Sequence, residues 1–333
     1  MRSALRLALL LAIFALLGAG WYAGWHWGAR EIERRADAAT GRIADRGGAF
    51  ECAGRRIGGF PFRIGVFCDS VLYASPNGAT FAAGALRSAA QFYAPGHAVV
   101  ELDPGARLSL PGGEGYAIGW QLAHASLRAG ITRLNAVDLE MREPRLAAAG
   151  ATVDLGKASH VELHLRRNPD KASAVDVAFS GNAIHRTDAG TPDFDLAGEF
   201  RLDEAASLLE RPDAFLPQVR ANGAAGEALN LEIRPAAGGA LSISGPFSIG
   251  ANGLLDADLK ISASNLLPLA DFLATLAPRH ADEIRSAVGL LASLQQASDA
   301  GSPDASKRSI RLNIRRGKIA LGVFTLGELP PLF

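Results

Sequence analysis

Three titratable side chains alternate along one short segment of the sequence. His160, Glu162 and His164 are separated by apolar residues, so a β-strand would place all three on one face. Imidazole and carboxylate groups in that arrangement suit zinc. A polar strand face in contact with water has the same pattern, and the other histidines show no paired spacing. We therefore interpret the triplet as a solvated face and predict neither a metal site nor a cofactor.

Catalytic sequence motifs are absent from the chain. It contains no nucleophile elbow G-x-S-x-G, no P-loop, no H-E-x-x-H and no dinucleotide-binding fingerprint. Neither cysteine belongs to a C-x-x-C pair. We predict that the protein is not an enzyme. A hydrolase whose carboxylates or histidines converge from distant strands is the minor alternative.

The chain has two cysteines, Cys52 and Cys68. We predict a disulfide between them, which would contribute about 3 kcal/mol to stability for a loop of this length. A hairpin with a two-residue turn at 58–59 would place Cys52 opposite residue 65. The bridge therefore requires a turn centred near Phe60, a bulge, or a link from a loop to a strand. Two buried free thiols are the alternative.

The segment GGFPFR is the most distinctive in the sequence. In a strand, Phe60 and Phe62 would point one way, and Arg63 would point the other way and pair with a carboxylate. Pro61 cannot donate to a strand ladder, which predicts a sheet edge or the start of a strand. We interpret Gly59 and the four residues after it as a structural motif whose aromatic rings close one end of the core. A ligand clamp is the alternative.

An uncharged apolar run precedes all of these motifs in the sequence. It begins after Arg6 and continues to Trp25. At about 1.5 Å per helical residue the run spans roughly 28 Å, near the thickness of the hydrocarbon core of a bilayer. We predict a transmembrane anchor over 7–27, then a charged helical stalk over 28–46. A cleaved signal peptide, with its site at 18–20, is the rival interpretation. The far end of the run carries the aromatic residues typical of a membrane–water interface: Trp21, Tyr22, Trp25 and Trp27.

The orientation of the anchor follows from two observations. A short basic N-terminus before an apolar span is the usual arrangement of a signal anchor. The two cysteines fit an oxidising compartment. We therefore expect residues 1–6 to lie inside and the body of the chain to lie outside.

Beyond residue 46 the sequence alternates between turn signals and short strand patterns. Glycine and proline pairs recur at short intervals, which favours an antiparallel sheet over βαβ units. Segments such as 160–165 and 193–202 place apolar residues on one face and polar residues on the other, as half-buried strands do. Three stretches have helical patterns, and each would pack on the sheet: 203–219, 265–277 and 281–296.

These patterns predict a β-rich α+β fold. It would contain a long curved antiparallel sheet packed on a few helices and preceded by one N-terminal transmembrane helix. No linker divides the body, so we expect residues 47–333 to form one extended domain. Basic and acidic residues number 34 each, which argues against a nucleic-acid partner.

Several motifs together resemble domain of unknown function 2125, a family of envelope proteins of Gram-negative bacteria. They are Cys52, the motif at 59–64, Cys68-Asp69, GKIALG at 317–322 and LPPL at 329–332. The resemblance implies a single-pass protein of the bacterial inner membrane whose body, residues 47–333, lies in the periplasm, with residues 1–6 in the cytoplasm. It implies no catalytic residues. The chain is also similar in style to AsmA-like envelope proteins, whose curved sheets enclose an apolar groove.

The half-apolar sheet, the membrane anchor and the lack of catalytic motifs favour a binding function. We predict a non-enzymatic protein that binds lipid or another apolar ligand in a groove of the sheet. The alternative is a structural or interaction component of an envelope complex, with a filled core and an exposed apolar patch or strand edge. The expected partners are the inner membrane, lipid and other envelope proteins, without nucleic acid.

Overall fold

The chain folds into two compact units, each described here by itself. Unit 1 comprises Met1–Ile131 with Ala148–Gly150, and unit 2 comprises Thr132–Ala147 with Ala151–Phe333. The prediction of one extended domain over 47–333, and the predicted boundaries of the anchor and stalk, stay predictions. The computed structural model describes these residues: 2–130, 133–187, 190–276, 278–282, 284–286, 288–289, 309–321 and 324–333.

Unit 1 begins with one continuous helix, α1 (Arg2–Ala44), which includes both the predicted anchor and the predicted stalk. The helix is long and apolar enough to cross a membrane. Leucine and alanine dominate its first half, and it contains no proline, so nothing interrupts its backbone hydrogen bonds. It ends where Gly47 adopts a left-handed φ of 81° and the Gly48 N–H donates to the Ile43 carbonyl at 3.0 Å.

The rest of unit 1 is an antiparallel meander of strands that are each interrupted midway. One ladder joins β2, β3, β6, β7 and β10, and a second joins β1, β4, β5, β8 and β9. β3 and β4 are two parts of one strand that bends at Asp69. Helix α1 contacts β1 and β2, and so covers one edge of the meander. The strands are β1 (Ala49–Ala53), β2 (Arg56–Gly58), β3 (Arg63–Cys68), β4 (Ser70–Ala74), β5 (Thr80–Ala83), β6 (Leu86–Gln91), β7 (Ala94–Leu102), β8 (Ala106–Ser109), β9 (Gly115–Gly119) and β10 (Leu122–Ala129).

Unit 2 is built on a long antiparallel ladder in which β11 pairs with β14, and every strand from β14 to β22 pairs with the next. A short ladder joins β12, β13 and β15. The strands are β11 (Leu134–Arg142), β12 (Arg145–Ala148), β13 (Asp154–Lys157), β14 (His160–Arg167), β15 (Val175–Arg186), β16 (Phe194–Leu202), β17 (Ala224–Pro235), β18 (Ala240–Ile249), β19 (Leu255–Ser264), β20 (Ser309–Arg315), β21 (Lys318–Leu321) and β22 (Phe324–Glu328).

The helices of unit 2 are α2 (Ser207–Glu210), α3 (Pro212–Asn222) and α4 (Leu266–Leu276), followed by a short 3₁₀ turn at Pro278–His280. The helix predicted over 203–219 is wrong at its start, because the Asp203 N–H still bonds to the Ala225 carbonyl at 2.8 Å in continuation of the sheet. Helix α2 ends at Glu210 and α3 begins at Pro212, so the helical stretch is interrupted at the residue before this proline.

The helix predicted over 265–277 is confirmed as α4. For the helix predicted over 281–296, the described residues up to 289 are helical, and 290–296 lie outside the described residues. The β-rich α+β class, with antiparallel strands, few helices and an apolar N-terminal helix, is confirmed.

Two small cores attach the helices of unit 2 to the sheet. Val175, Ala205 and Leu209 are buried together, so α2 packs on the first residue of β15. On α4, Leu269 and Phe272 are almost completely buried. The Phe272 ring lies 5.2 Å from that of Phe194, at the start of β16.

Candidate functional site

The motif predicted from sequence forms the turn between β2 and β3. Gly58 pairs with Gly65, so the chain reverses over 59–64. Gly59 has a φ of 110°, and a Cβ there would lie 2.8 Å from the Arg63 carbonyl carbon, so the position requires glycine. The Arg63 N–H donates to the Gly59 carbonyl at 2.9 Å and closes the turn. We call residues 59–62 the motif turn.

Two tryptophans of α1 hold the motif turn through its backbone. The indole N–H of Trp21 donates to the Pro61 carbonyl, and that of Trp25 donates to the Arg63 carbonyl, each at 2.8 Å. Residues four apart lie on one face of a helix, so both indoles reach the same turn. The Trp25 side chain is buried, and the two bonds attach α1 to the motif turn and to the first residue of β3.

Aromatic rings surround these hydrogen bonds. The ring of Phe60 lies 5.6 Å from that of Trp25, and the ring of Phe92 lies 5.2 Å from that of Trp21. Glycine at position 28 of α1 allows the approach, because a Cβ there would lie 3.1 Å from Phe92. The aromatic cluster, as we call it, consists of Trp21, Tyr22, Trp25, Phe60, Phe62 and Phe92.

The structure corrects two predictions about the motif. Phe60 and Phe62 belong to the turn and not to a strand, and both are half or more exposed, so they do not close the core. The reason is the hairpin register, which centres the reversal between Pro61 and Phe62. Arg63 has no side-chain partner among the described residues, so the predicted carboxylate pair is wrong. The sequence suggested interfacial tryptophans, but not that they bind this motif.

The structure contains the Cys52–Cys68 disulfide, with the Cα atoms 5.2 Å apart. Cys52 pairs with Val71 across β1 and β4, so the two cysteines are not opposite each other in the ladder. The strand breaks at Gly54, with a φ of 60°, and at Asp69 bring the sulfur atoms together. A regular hairpin with a two-residue turn could not bring Cys52 opposite Cys68, and these two breaks supply the irregular geometry that the bridge requires.

The polar triplet predicted on β14 lies on the solvent side of the sheet. The side chain of His164 contacts Asp138 at 2.9 Å, and that of His160 contacts Glu140 at 3.2 Å. Glu162 lies between the histidines, 3.6 and 3.8 Å away. The two carboxylates of β11 were missed from the sequence, although residues 138 and 140 alternate in the same way. In the part of the chain that the structure describes, no cluster of three or more histidine, cysteine, aspartate or glutamate side chains is arranged to hold a metal ion.

Asp176 is a second charged centre on this solvent side. Its carboxylate accepts hydrogen bonds from Asn168 at 2.8 Å, from Arg166 at 3.0 Å and from Arg201 at 3.4 Å. Partial burial disfavours the ionised form, but these three donors outweigh it and hold the pKa of Asp176 below its ordinary value. The group is therefore ionised at neutral pH and ties three neighbouring segments together.

The opposite side of the unit 2 sheet is an apolar face. Its cross-strand pairs are Val177 with Phe200, Leu231 with Ile243, and Ile243 with Ile261. Phe200 also lies 6.1 Å from Phe179 and 6.4 Å from Phe247. We call the residues on this side, from β14 to β20, the apolar face.

The apolar face is partly covered by helices. The core of α2 lies where Val175 begins β15, and α4 contacts β18 and Phe194, where β16 begins. Phe179, Phe200 and Ile243 lie further along the strands and are only half-buried. A surface of this kind offers dispersion contacts and water release to alkyl chains, but no hydrogen bonds.

The described residues combine a β-rich body, an N-terminal helix that is long and apolar enough to cross a membrane, and an apolar sheet face. The chain belongs to the family described as an uncharacterized protein conserved in bacteria, DUF2125, whose model matches residues 25–330. The resemblance to this family is thus confirmed over nearly the whole chain. The similarity in style to AsmA-like proteins stays a prediction. No curated protein and no solved structure matches the chain.

Proposed function

We propose that this protein is a non-enzymatic membrane-anchored protein that binds the acyl chains of a lipid on the apolar face of unit 2. The observation that supports the proposal is the half-burial of Phe179, Phe200 and Ile243 in the middle of an apolar surface. Burying a large apolar side chain fully stabilises a protein by about 1.5–3 kcal/mol. If a ligand covered these residues, their burial would contribute part of that free energy to binding.

The chemistry of the apolar face favours acyl chains over a polar ligand. Cross-strand neighbours on this side are aliphatic or aromatic, while charged residues such as Asp176 lie on the other side. Alkyl chains need no directional partner, so such a surface accepts them without leaving polar groups unsatisfied. The helix α1, which is apolar enough to cross a bilayer, would keep the chain beside a source of such molecules.

We further propose that residues 7–27 anchor the chain in the bacterial inner membrane, with residues 47–333 in the periplasm. The disulfide between Cys52 and Cys68 supports this location, because disulfides persist in oxidising compartments. Peptide mass mapping of protein from its native envelope, with and without reduction, tests it. We expect the bridged peptide before reduction only, and free thiols in that material contradict the assignment.

Site-specific photo-crosslinking in cells tests the lipid proposal. Phe179 is replaced by p-benzoylphenylalanine, and the matched control carries the same group at Ser180, whose side chain lies on the opposite side and bonds to Glu162. After irradiation, we expect a lipid-sized mass increase on the peptide containing residue 179. The control at residue 180 should gain none.

A different pattern of adducts overturns the proposal. Equal lipid labelling at 179 and 180 would indicate non-specific contact, and no lipid adduct at 179 would leave the apolar face without this ligand. Adducts to another protein at 179 would favour the second function, a structural or interaction component of an envelope complex. The strand β22 supports that second function, since β21 is its one pairing partner among the described strands, and an unpaired strand edge can bind a partner strand.

A further inference from the structure

We infer that the motif turn and the neighbouring β6–β7 turn dock into the interfacial layer of the membrane that α1 crosses. The docking surface consists of the exposed rings of Phe60, Phe62 and Tyr93, and we call it the interfacial patch. The inference rests on the anchoring part of the proposed function and is independent of lipid binding to the apolar face.

The position of the patch along α1 gives its depth. The apolar run of α1 ends at Trp25, and Trp21 lies one turn earlier, about 6 Å inside that end. The headgroup layer on each side of a bilayer is roughly 5–7 Å thick. Because Trp21 and Trp25 are hydrogen-bonded to the motif turn, the turn lies at this same level.

The two turns form one surface. The N–H of Phe92 donates to the Phe62 carbonyl at 2.9 Å, and the Phe92 ring packs on Trp21. Tyr93 follows Phe92 directly in the chain and so belongs to the turn that this hydrogen bond joins to the motif turn. Both turns are fixed to the spanning helix by hydrogen bonds and ring contacts, so the patch enters the membrane whenever α1 does.

The residue types of the interfacial patch suit the boundary between the hydrocarbon core and the headgroups of a membrane. Phe60 is 50 % exposed, and Phe62 and Tyr93 are each 65 % exposed, which is costly in water for large apolar rings on two joined turns. Aromatic rings favour the boundary between hydrocarbon and headgroups, and the tyrosine hydroxyl can remain at the polar side.

Arg63 adds a charge at the same level. Its backbone carbonyl accepts the Trp25 indole, and its guanidinium has no partner among the residues that the structure describes. It lines an open cavity of about 330 Å³, together with Gly58 and Gly65. A guanidinium at headgroup depth matches the phosphate of a phospholipid, to which it donates in a bidentate manner.

The test uses the full chain in phospholipid vesicles with an environment-sensitive fluorophore on a single added cysteine. Tyr93→Cys places the label in the patch, Asn77→Cys places it at an exposed turn of the same unit, and Ala15→Cys places it inside the apolar run. Nitroxide groups at the headgroup or deep in the acyl chains of the lipids serve as quenchers. The native disulfide leaves Cys52 and Cys68 unlabelled.

We expect the label at residue 93 to emit at shorter wavelength than the label at 77 and to lose most of its emission to headgroup nitroxides. The label at 15 should be quenched by the deep nitroxides, and the label at 77 by neither. If 15 is quenched and 93 behaves like 77, the docking inference is overturned while the anchor stands. If 15 is not quenched, the anchor fails and the inference fails with it.

Discussion

At the scale of single residues, two indole nitrogens decide where the GGFPFR segment lies. Trp21 and Trp25 donate to the carbonyls of Pro61 and Arg63, each at 2.8 Å. Trp25 is 6 % exposed, whereas Trp27, two residues further along α1, is 66 % exposed. Trp25 therefore packs against the body, whereas Trp27 does not, because residues two apart lie on different faces of a helix.

Trp25→Phe should weaken the attachment of the motif turn. An aromatic ring is kept, but the Arg63 carbonyl loses its donor in a partly buried hydrogen bond. This loss costs about 1 kcal/mol or roughly fivefold in the protection of β3 amides from hydrogen exchange. Trp25→Ala also leaves a cavity, which costs about 3–5 kcal/mol. Hydrogen exchange by mass spectrometry on the full chain in micelles measures both. Trp27→Phe is the control, and equal effects at 25 and 27 would contradict the assignment.

Asp176→Asn should lower stability in a manner that depends on pH. The folded protein holds the pKa of Asp176 below its unfolded value, so the ionised group stabilises the fold above about pH 4, and that stability is lost as pH falls through the lowered pKa. We expect the substitution to cost about 1–2 kcal/mol at neutral pH, as for hydrogen bonds to a charged group.

The measurement is urea unfolding of the full chain in micelles between about pH 7 and pH 3, where the difference between Asp176→Asn and the native chain should shrink on acidification. Glu199→Gln is the control, because this carboxylate is exposed and has no partner among the described residues. A difference that is the same at both pH values would mean that the side-chain shape, and not the charge, is what matters.

At the scale of elements, the meander of unit 1 depends on a close approach between β3 and β6. A Cβ on Gly65 would lie 1.8 Å from the Ser88 carbonyl oxygen, which belongs to the backbone and cannot move alone. The Ser88 hydroxyl bonds to the N–H of Val66 at 2.7 Å and to its carbonyl at 3.0 Å, in place of regular ladder bonds. This irregularity begins at Gly65, which follows the motif turn closely in the chain.

Gly65→Ala should therefore separate β3 from β6. Overpacking against a backbone atom costs about 1–3 kcal/mol or more, and we expect a lower thermal midpoint or no folded unit 1. Gly119→Ala is the matched control in β9, since no atom lies within 4 Å of a Cβ placed there. Thermal unfolding and limited proteolysis compare the stability of the two variants. Equal stability of the two variants would show that the strands tolerate the extra methyl group.

At the scale of the whole molecule, α1 is both a candidate anchor and a part of unit 1. Its first half is exposed, as a lipid-facing helix would be, while Trp25 is buried against the body. A signal peptide that is removed before residue 21 would leave Trp21 and Trp25 in place, whereas a cut beyond residue 25 would remove a structural contact. The part of α1 from Trp21 onward therefore belongs to the structure of unit 1.

Two truncated chains separate these roles. A chain that starts at residue 21 keeps both indoles, and a chain that starts at residue 31 lacks them. We expect hydrogen exchange in the motif turn and β3 to be faster in the shorter chain, because the two carbonyls and the Phe92 ring lose their partners. Amides of β16 to β18, in unit 2, serve as the internal reference. Equal protection of β3 in both chains would contradict a structural role for the tryptophans.

The sequence by itself determined the features that depend on local periodicity. The alternation in 193–202 predicted the apolar and polar sides of β16, and the composition of 7–25 predicted an unbroken apolar helix. Both follow from the period of a strand or a helix, which a few neighbouring residues establish. The family resemblance likewise followed from short motifs and was confirmed over 25–330.

Only the tertiary structure decided what the motif contacts. Trp21 and Pro61 are 40 residues apart, and Trp25 and Arg63 are 38 apart. Local pattern carries no information about such a pair, because the pairing depends on where the β2–β3 hairpin reverses and on how α1 packs on the edge. The same dependence on register explains why Phe60 and Phe62, which a strand pattern would bury, lie exposed beside α1.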